Sequence, residues 1–141
     1  MGTITKDFSY REFEKSDIAD RKGICNVITS FGVRDCILAL TENVLQPLRD
    51  ALGKPLKVNS GYRCKALNAA VGGVPTSQHM KGEAADIATD DPVKLARLAV
   101  KLELPFDQMI LYPSFVHFSH KLTGEQRGQI CYNWRYKGEK V

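Results

Sequence analysis

The chain carries three histidines, His79, His117 and His120, and two of them stand in segments that could present them to a common partner. In Ser77-Gln78-His79-Met80-Lys81-Gly82-Glu83-Ala84-Ala85-Asp86, an imidazole precedes a carboxylate by seven residues. On a continuous helix that separation would span about 10 Å of rise, too far for two ligands that must each approach one metal ion to about 2 Å. Gly82 lets the chain turn instead, and Ala84 and Ala85 leave room around the junction. His117 lies in Phe115-Val116-His117-Phe118-Ser119. Strand alternation there sends Val116 and Phe118 towards a core and His117 and Ser119 to the other face. Two histidines and a carboxylate, with a fourth position open to water, form the ligand set of a hydrolytic zinc site. A His-Gly-Asp loop is also ordinary turn chemistry, with His79 and His120 as surface residues, so spacing alone leaves both readings open.

The elements that must position these groups are legible in part. Ser9-Tyr10-Arg11-Glu12 is a capping box, and Phe8 and Phe13 sit where a hydrophobic staple needs them, so a short helix begins at Tyr10. A second helical turn is expected from Ser16 to Lys22, stopped by Gly23. Val33, Cys36, Ile37, Leu40, Val44, Leu45, Leu48 and Leu52 repeat at three and four, predicting a helix of about five turns with one apolar stripe. Pro47 should kink or split it near Asn43. Asp91-Pro92 opens a further helix that buries Leu95, Leu98, Ala99 and Leu102. Strands are expected at Leu56 to Asn59, Ala84 to Ala88, Met109 to Tyr112, Phe115 to Ser119 and Gln129 to Trp134. The pattern predicts an α+β fold, with a small, mostly antiparallel sheet and flanking helices.

With 141 residues and no repeat, low-complexity tract or linker, residues 1–141 read as a single domain. A net charge of +4 without any Lys/Arg block suits a solvated mixed-charge surface; no nucleic-acid partner is expected. No apolar run approaches the roughly 20 residues of a membrane span, and the first residues lack the apolar core of a secretory signal. Synthesis in the cytoplasm is expected, with access to a cell wall only through phage-type lysis or a leader absent from this sequence. Cys25, Cys36, Cys64 and Cys131 contain no C-x-x-C pair and are expected as free thiols, at least two of them buried.

Four blocks in order carry a resemblance: Ser60-Gly61-Tyr62-Arg63, Leu67-Asn68-Ala69-Ala70-Val71-Gly72-Gly73, Ser77-Gln78-His79 through Asp86, and Phe115-Val116-His117-Phe118-Ser119. From about Phe8 to His120 the chain resembles the zinc D-Ala-D-Ala carboxypeptidase family. That family includes D-Ala-D-Ala dipeptidases and phage endolysin peptidases, and it shares its fold with the Hedgehog signalling domain. The resemblance implies one zinc ion on His79, Asp86 and His117. It also implies Arg63 as the group that holds substrate near the metal, and Ser77 as a hydrogen-bonding partner of the substrate backbone. A guanidinium suits the first role because it binds a carboxylate bidentately. The implied substrates are peptidoglycan stem peptides, cut by a monomer.

Members commonly carry an acidic base about three residues before the last histidine, where this chain has Ser114. A metal-activated water still needs a proton acceptor. The candidates are Asp107, which is preferred, and Glu83, which alternation from Asp86 turns the other way. A missing acid also fits a zinc-containing binding module without catalysis. A cysteine peptidase using Cys64 and His79 is a third reading, weakened because the zinc set already uses His79.

Overall fold

The computed structural model describes residues 2–141. A short hairpin, β1 (Thr3–Thr5) and β2 (Phe8–Ser9), leads into α1 (Tyr10–Glu14) and α2 (Asp17–Lys22). The Glu12 carboxylate accepts from the Ser9 backbone N–H at 2.7 Å, and Phe8 and Phe13 are both buried, as the capping box and staple require. Gly23 stops α2 in the left-handed region, at φ 67°. The hairpin itself was not expected.

The long apolar stripe becomes α3 (Phe31–Leu40), a π-helical turn (Thr41–Leu45) and α4 (Gln46–Leu52). Proline cannot donate to the ladder, and the widened turn absorbs that defect: the Gln46 N–H reaches back five residues to the Thr41 carbonyl. Side chains occupy nearby carbonyls, Thr41 Oγ1 donating to Ile37 O at 2.8 Å and Asn43 Nδ2 to Ala39 O at 2.8 Å. The interruption of the α-helical ladder, at Thr41–Leu45, thus falls where Pro47 places it.

Five strands form the main sheet: β3 (Val58–Ser60), β4 (Ala84–Ala88), β5 (Gln108–Leu111), β6 (Phe115–Ser119) and β7 (Gln129–Tyr132). Their spatial order is β3-β4-β6-β5-β7, antiparallel throughout except for the parallel β5–β7 pair. The α+β class and mostly antiparallel sheet therefore hold. α5 (Lys65–Ala70), unexpected from the sequence, follows β3, and α6 (Pro92–Lys101) follows β4 with Asp91 as its N-cap. Leu95, Ala96 and Ala99 of α6 are buried, but Leu98 is half-buried and Leu102, the C-cap after the helix ends at Lys101, is exposed.

Strand alternation sorts the sheet into two faces. Ala85, Ile87, Met109, Leu111, Val116 and Phe118 are fully buried and join Ile37, Leu40, Leu48, Leu95 and Ala99 of the helices in one apolar core. The opposite face carries Asp86, Ile110, Phe115, His117 and Cys131, all but Asp86 partly open to solvent. None of the four cysteines is fully buried and all are free thiols: Cys25 is exposed and the others are intermediate. Cys36 falls on the rim of the α3 stripe rather than at its centre, so the expected burial of at least two thiols is not met. Among the described residues no helix is long and apolar enough to cross a membrane.

Candidate metal centre

β4 and β6 pair with Asp86 directly opposite His117, so both side chains rise from the open face as cross-strand neighbours. His79 arrives from above on a 3-10 turn (Gln78–Lys81) that Gly82 closes in the left-handed region, at φ 79°. A Cβ at Gly82 would stand 2.6 Å from the Val33 carbonyl oxygen, so both space and conformation require glycine there. The turn foreseen between His79 and Asp86 is therefore built as expected.

His79, Asp86 and His117 each offer a ligand atom, and these atoms lie within 4.8 Å of one another. Asp86 Oδ1 stands 3.3 Å from His79 Nε2 and 2.9 Å from His117 Nδ1. Tetrahedral ligands about 2 Å from a zinc ion are separated by about 3.3 Å, so the donor set fits that metal in type and in spacing. The His79 ring is oriented by its other nitrogen: Nδ1–H donates to the Gly61 carbonyl at 2.7 Å, which turns Nε2 towards Asp86. Burial of Asp86 opposes its charge. Hydrogen bonds from His117 and His79, with the charge of both rings, outweigh that effect and hold the carboxyl well below the usual carboxylate range.

Arg63 approaches the other oxygen of the same carboxylate, with its guanidinium 3.7 Å from Asp86 Oδ2. Its Nε donates to Ser60 Oγ at 3.2 Å, and a terminal nitrogen donates to Asn68 Oδ1 at 3.4 Å. Backbone bonds lace the two motifs together, since the Arg63 N–H donates to the His79 carbonyl at 3.1 Å. Asn26, buried, holds the same segment from below. Its amide nitrogen donates to the Glu14 and Tyr62 carbonyls and its oxygen accepts from the Cys64 N–H. Nothing in the sequence around Asn26 signals this role.

Gly61 is the tightest point of that scaffold. A Cβ there would lie 2.7 Å from both Cα and Cδ2 of Phe13, whose carbonyl also accepts the Tyr62 N–H. Gly61→Ala is expected to cost roughly 1–3 kcal/mol through overpacking. It should also weaken metal binding by moving the carbonyl that orients His79. Thermal unfolding together with metal titration checks both effects.

Ser77 caps the 3-10 turn, its Oγ accepting from the His79 N–H at 3.2 Å. In this structure it positions a histidine. His120 is buried, with Nδ1 2.6 Å from the Pro105 carbonyl oxygen.

The structure does not bring Asp107 to the His–Asp–His group. Asp107 is fully buried and bound by Arg127, whose Nη2 lies 2.8 Å from Oδ2 and whose Nε and backbone N–H reach Oδ1. Lys121 adds a charge at 3.6 Å, and Gln78 Nε2 bridges Asp107 and Glu83 at 3.2 Å to each. Both acids have the parity of core-facing residues, opposite to Asp86 and His117. The hydrogen bonds from Arg127, partly opposed by burial, hold the Asp107 carboxyl well below the usual carboxylate range. A carboxylate so occupied is a poor proton acceptor.

Asp107→Asn is accordingly expected to lower stability by roughly 1–3 kcal/mol near neutral pH, through lost charged hydrogen bonds. A carboxyl depressed on folding contributes stability above its unfolded pKa of about 3.9, and loses it as pH falls towards the folded value. The gap in Tm between wild type and variant should therefore be widest above about pH 5 and shrink below pH 4. A gap that does not change with pH would remove the ion pair from the explanation.

Tyr112 stands at the open-face end of β5, stacked on Phe115 with ring centroids 4.1 Å apart. Burial first and the Asp86 charge second raise its pKa, while Arg63 works against them, so the phenol senses both site residues and stays protonated.

Comparison with known proteins agrees with this geometry. A family model described as peptidase M15 matches residues 6–120. A stretch of 44 residues is 50% identical to the zinc D-Ala-D-Ala carboxypeptidase of Streptomyces albus G, covering 30% of this chain and 17% of that protein.

Proposed function

The chain belongs to the peptidase M15 family, and on that premise we propose that it is a zinc metallopeptidase that hydrolyses peptidoglycan stem peptides, as a D-Ala-D-Ala carboxypeptidase or an endolysin-type endopeptidase. The observation that carries this reading is one carboxylate shared between two functions. Asp86 turns Oδ1 to both histidines and Oδ2 to Arg63, so metal ligands and an anion-binding guanidinium stand side by side on an open sheet face.

In this reading His79, Asp86 and His117 hold one Zn²⁺. What the ion supplies when bound is Lewis acidity towards the scissile carbonyl and towards a water molecule. The protein's own groups do the rest. Gly61, accepting from His79 Nδ1–H, keeps that imidazole in the ligating orientation, and strand pairing holds His117 opposite Asp86. Arg63 takes the substrate carboxylate in a bidentate pair and sets the peptide's distance from the metal group. Tyr112, kept neutral beside them, offers a hydroxyl to the same face.

One observation favours a zinc-containing binding module instead: the two candidate acids, Glu83 and Asp107, are joined through Gln78 and have the parity of core-facing residues. The two readings part in one experiment. Purified protein is assayed for zinc and then incubated with purified peptidoglycan, with and without chelator. Soluble stem peptides released only by the zinc-loaded protein support the peptidase. Stoichiometric zinc with wall binding and no release supports the module.

A further inference from the structure

Arg63 is long and flexible, and holding it in one rotamer costs side-chain entropy unless neighbours fix it. Of its three polar partners, Asp86 is shared with the metal group and Ser60 lies at the edge of the sheet, on β3. The third, Asn68 on α5, is buried and held at several points. Its Nδ2 donates to the Val74 carbonyl at 2.9 Å, and its own carbonyl accepts from the Gly73 N–H at 2.9 Å. With Nδ2 committed to a carbonyl, Oδ1 must face the guanidinium, and the reversed amide would set donor against donor at Arg63 and acceptor against acceptor at Val74.

Gly73 makes this possible by having no side chain. A Cβ there would stand 2.1 Å from Asn68 Oδ1, 2.8 Å from Cγ and 3.1 Å from an Arg63 terminal nitrogen. The neighbouring Gly72 needs its positive φ of 73° for the turn, whereas Gly73 is not among the positive-φ residues. Space, rather than backbone conformation, is what Gly73 provides.

We propose that Asn68 and Gly73 form a clamp that aims the Arg63 guanidinium, making both positioning residues for recognition of the substrate's carboxylate. The inference rests on the reading of Arg63 as the carboxylate-binding group. The clamp residues do not touch the metal group, because no hydrogen bond of Asn68 or Gly73 reaches His79, Asp86 or His117. The clamp therefore acts on substrate discrimination and leaves zinc content alone.

The test uses the full zinc-loaded chain and two probes, an N-acylated D-Ala-D-Ala peptide and its C-terminal amide. Binding of each is measured by calorimetry alongside kcat and KM. Wild type should prefer the free carboxylate by about tenfold or more, the value expected of one charged hydrogen-bonded pair. In Gly73→Ala that preference should fall towards unity through Kd and KM for the carboxylate peptide, with zinc stoichiometry and affinity for the amide unchanged. Asn68→Ala, which removes Oδ1 without crowding, should give the same loss and serves if Gly73→Ala does not fold. Either variant keeping the wild-type preference while folded and zinc-loaded overturns the clamp. If wild type shows no preference and Arg63→Lys changes nothing, the reading of Arg63 itself fails and the clamp falls with it. If Arg63→Lys abolishes a preference that both clamp variants retain, only the clamp is wrong.

Discussion

Asp86→Ala is expected to abolish stoichiometric zinc binding and, with it, all peptide hydrolysis. The carboxylate sits between the two imidazoles, 3.3 Å from one nitrogen and 2.9 Å from the other, and is the only anion of the donor set. Its loss leaves two neutral ligands for a dication, on a protein that already carries a net charge of +4. Arg63 would also lose its contact to Oδ2, adding an unopposed positive charge beside the vacated position. Because a metal that binds only the folded chain stabilises it by mass action, the variant should show no rise in Tm on zinc addition, whereas wild type should. His117→Ala should behave alike. Metal analysis of the dialysed proteins and paired melts check this; Asp86→Ala protein that still carries one zinc would exclude the centre described above.

Arg63→Lys should lower kcat/KM on a stem peptide by about 10²-fold or more while zinc content stays at the wild-type level. Both side chains carry one positive charge, so long-range attraction is preserved. What changes is geometry. Arg63 spends Nε on Ser60 Oγ and one terminal nitrogen on Asn68 Oδ1, while another points towards Asp86, so its planar fork is fixed in three directions. An ammonium is a point charge that cannot meet all three partners and a bidentate carboxylate as well. Losing one charged hydrogen bond costs roughly 1.5–3 kcal/mol, and misplacing the peptide relative to the metal group adds to that. Steady-state kinetics with zinc quantified in the same samples measures the effect. Equal activity of the two proteins would remove Arg63 from the substrate site.

The role of Asp107 shows where reading a sequence reaches its limit. Its position ten residues before His117, with no closer upstream acid, makes it the natural candidate for a proton acceptor. Arg127, twenty residues further on, occupies both of its oxygens instead. No local pattern announces that pairing, because it depends on β7 folding back in parallel beside β5. Asn26 is a similar case: a loop residue whose three hydrogen bonds tie α1 to the segment that carries Arg63. Asn68 and Gly73 lay inside a recognisable motif, but only their packing against Arg63 explains why those two types are needed.

By itself the sequence determined the features whose causes lie within a few residues. Caps at Ser9 and Asp91, the stop at Gly23 and the break near Pro47 each depend only on a residue and its own turn of backbone. The alternation of Phe115 to Ser119 likewise required only a strand with one buried face, and it placed His117 on the open side. The tertiary structure decided which chemically capable groups meet. It set Asp86 opposite His117 by strand register, lowered His79 onto them through a turn that only Gly82 can make, and gave Arg63 to the same carboxylate. It also turned Glu83 and Asp107 away, into a bridge through Gln78. The division is physical: backbone geometry and capping act over about four residues, whereas a charge finds its partner only after chain segments tens of residues apart have packed.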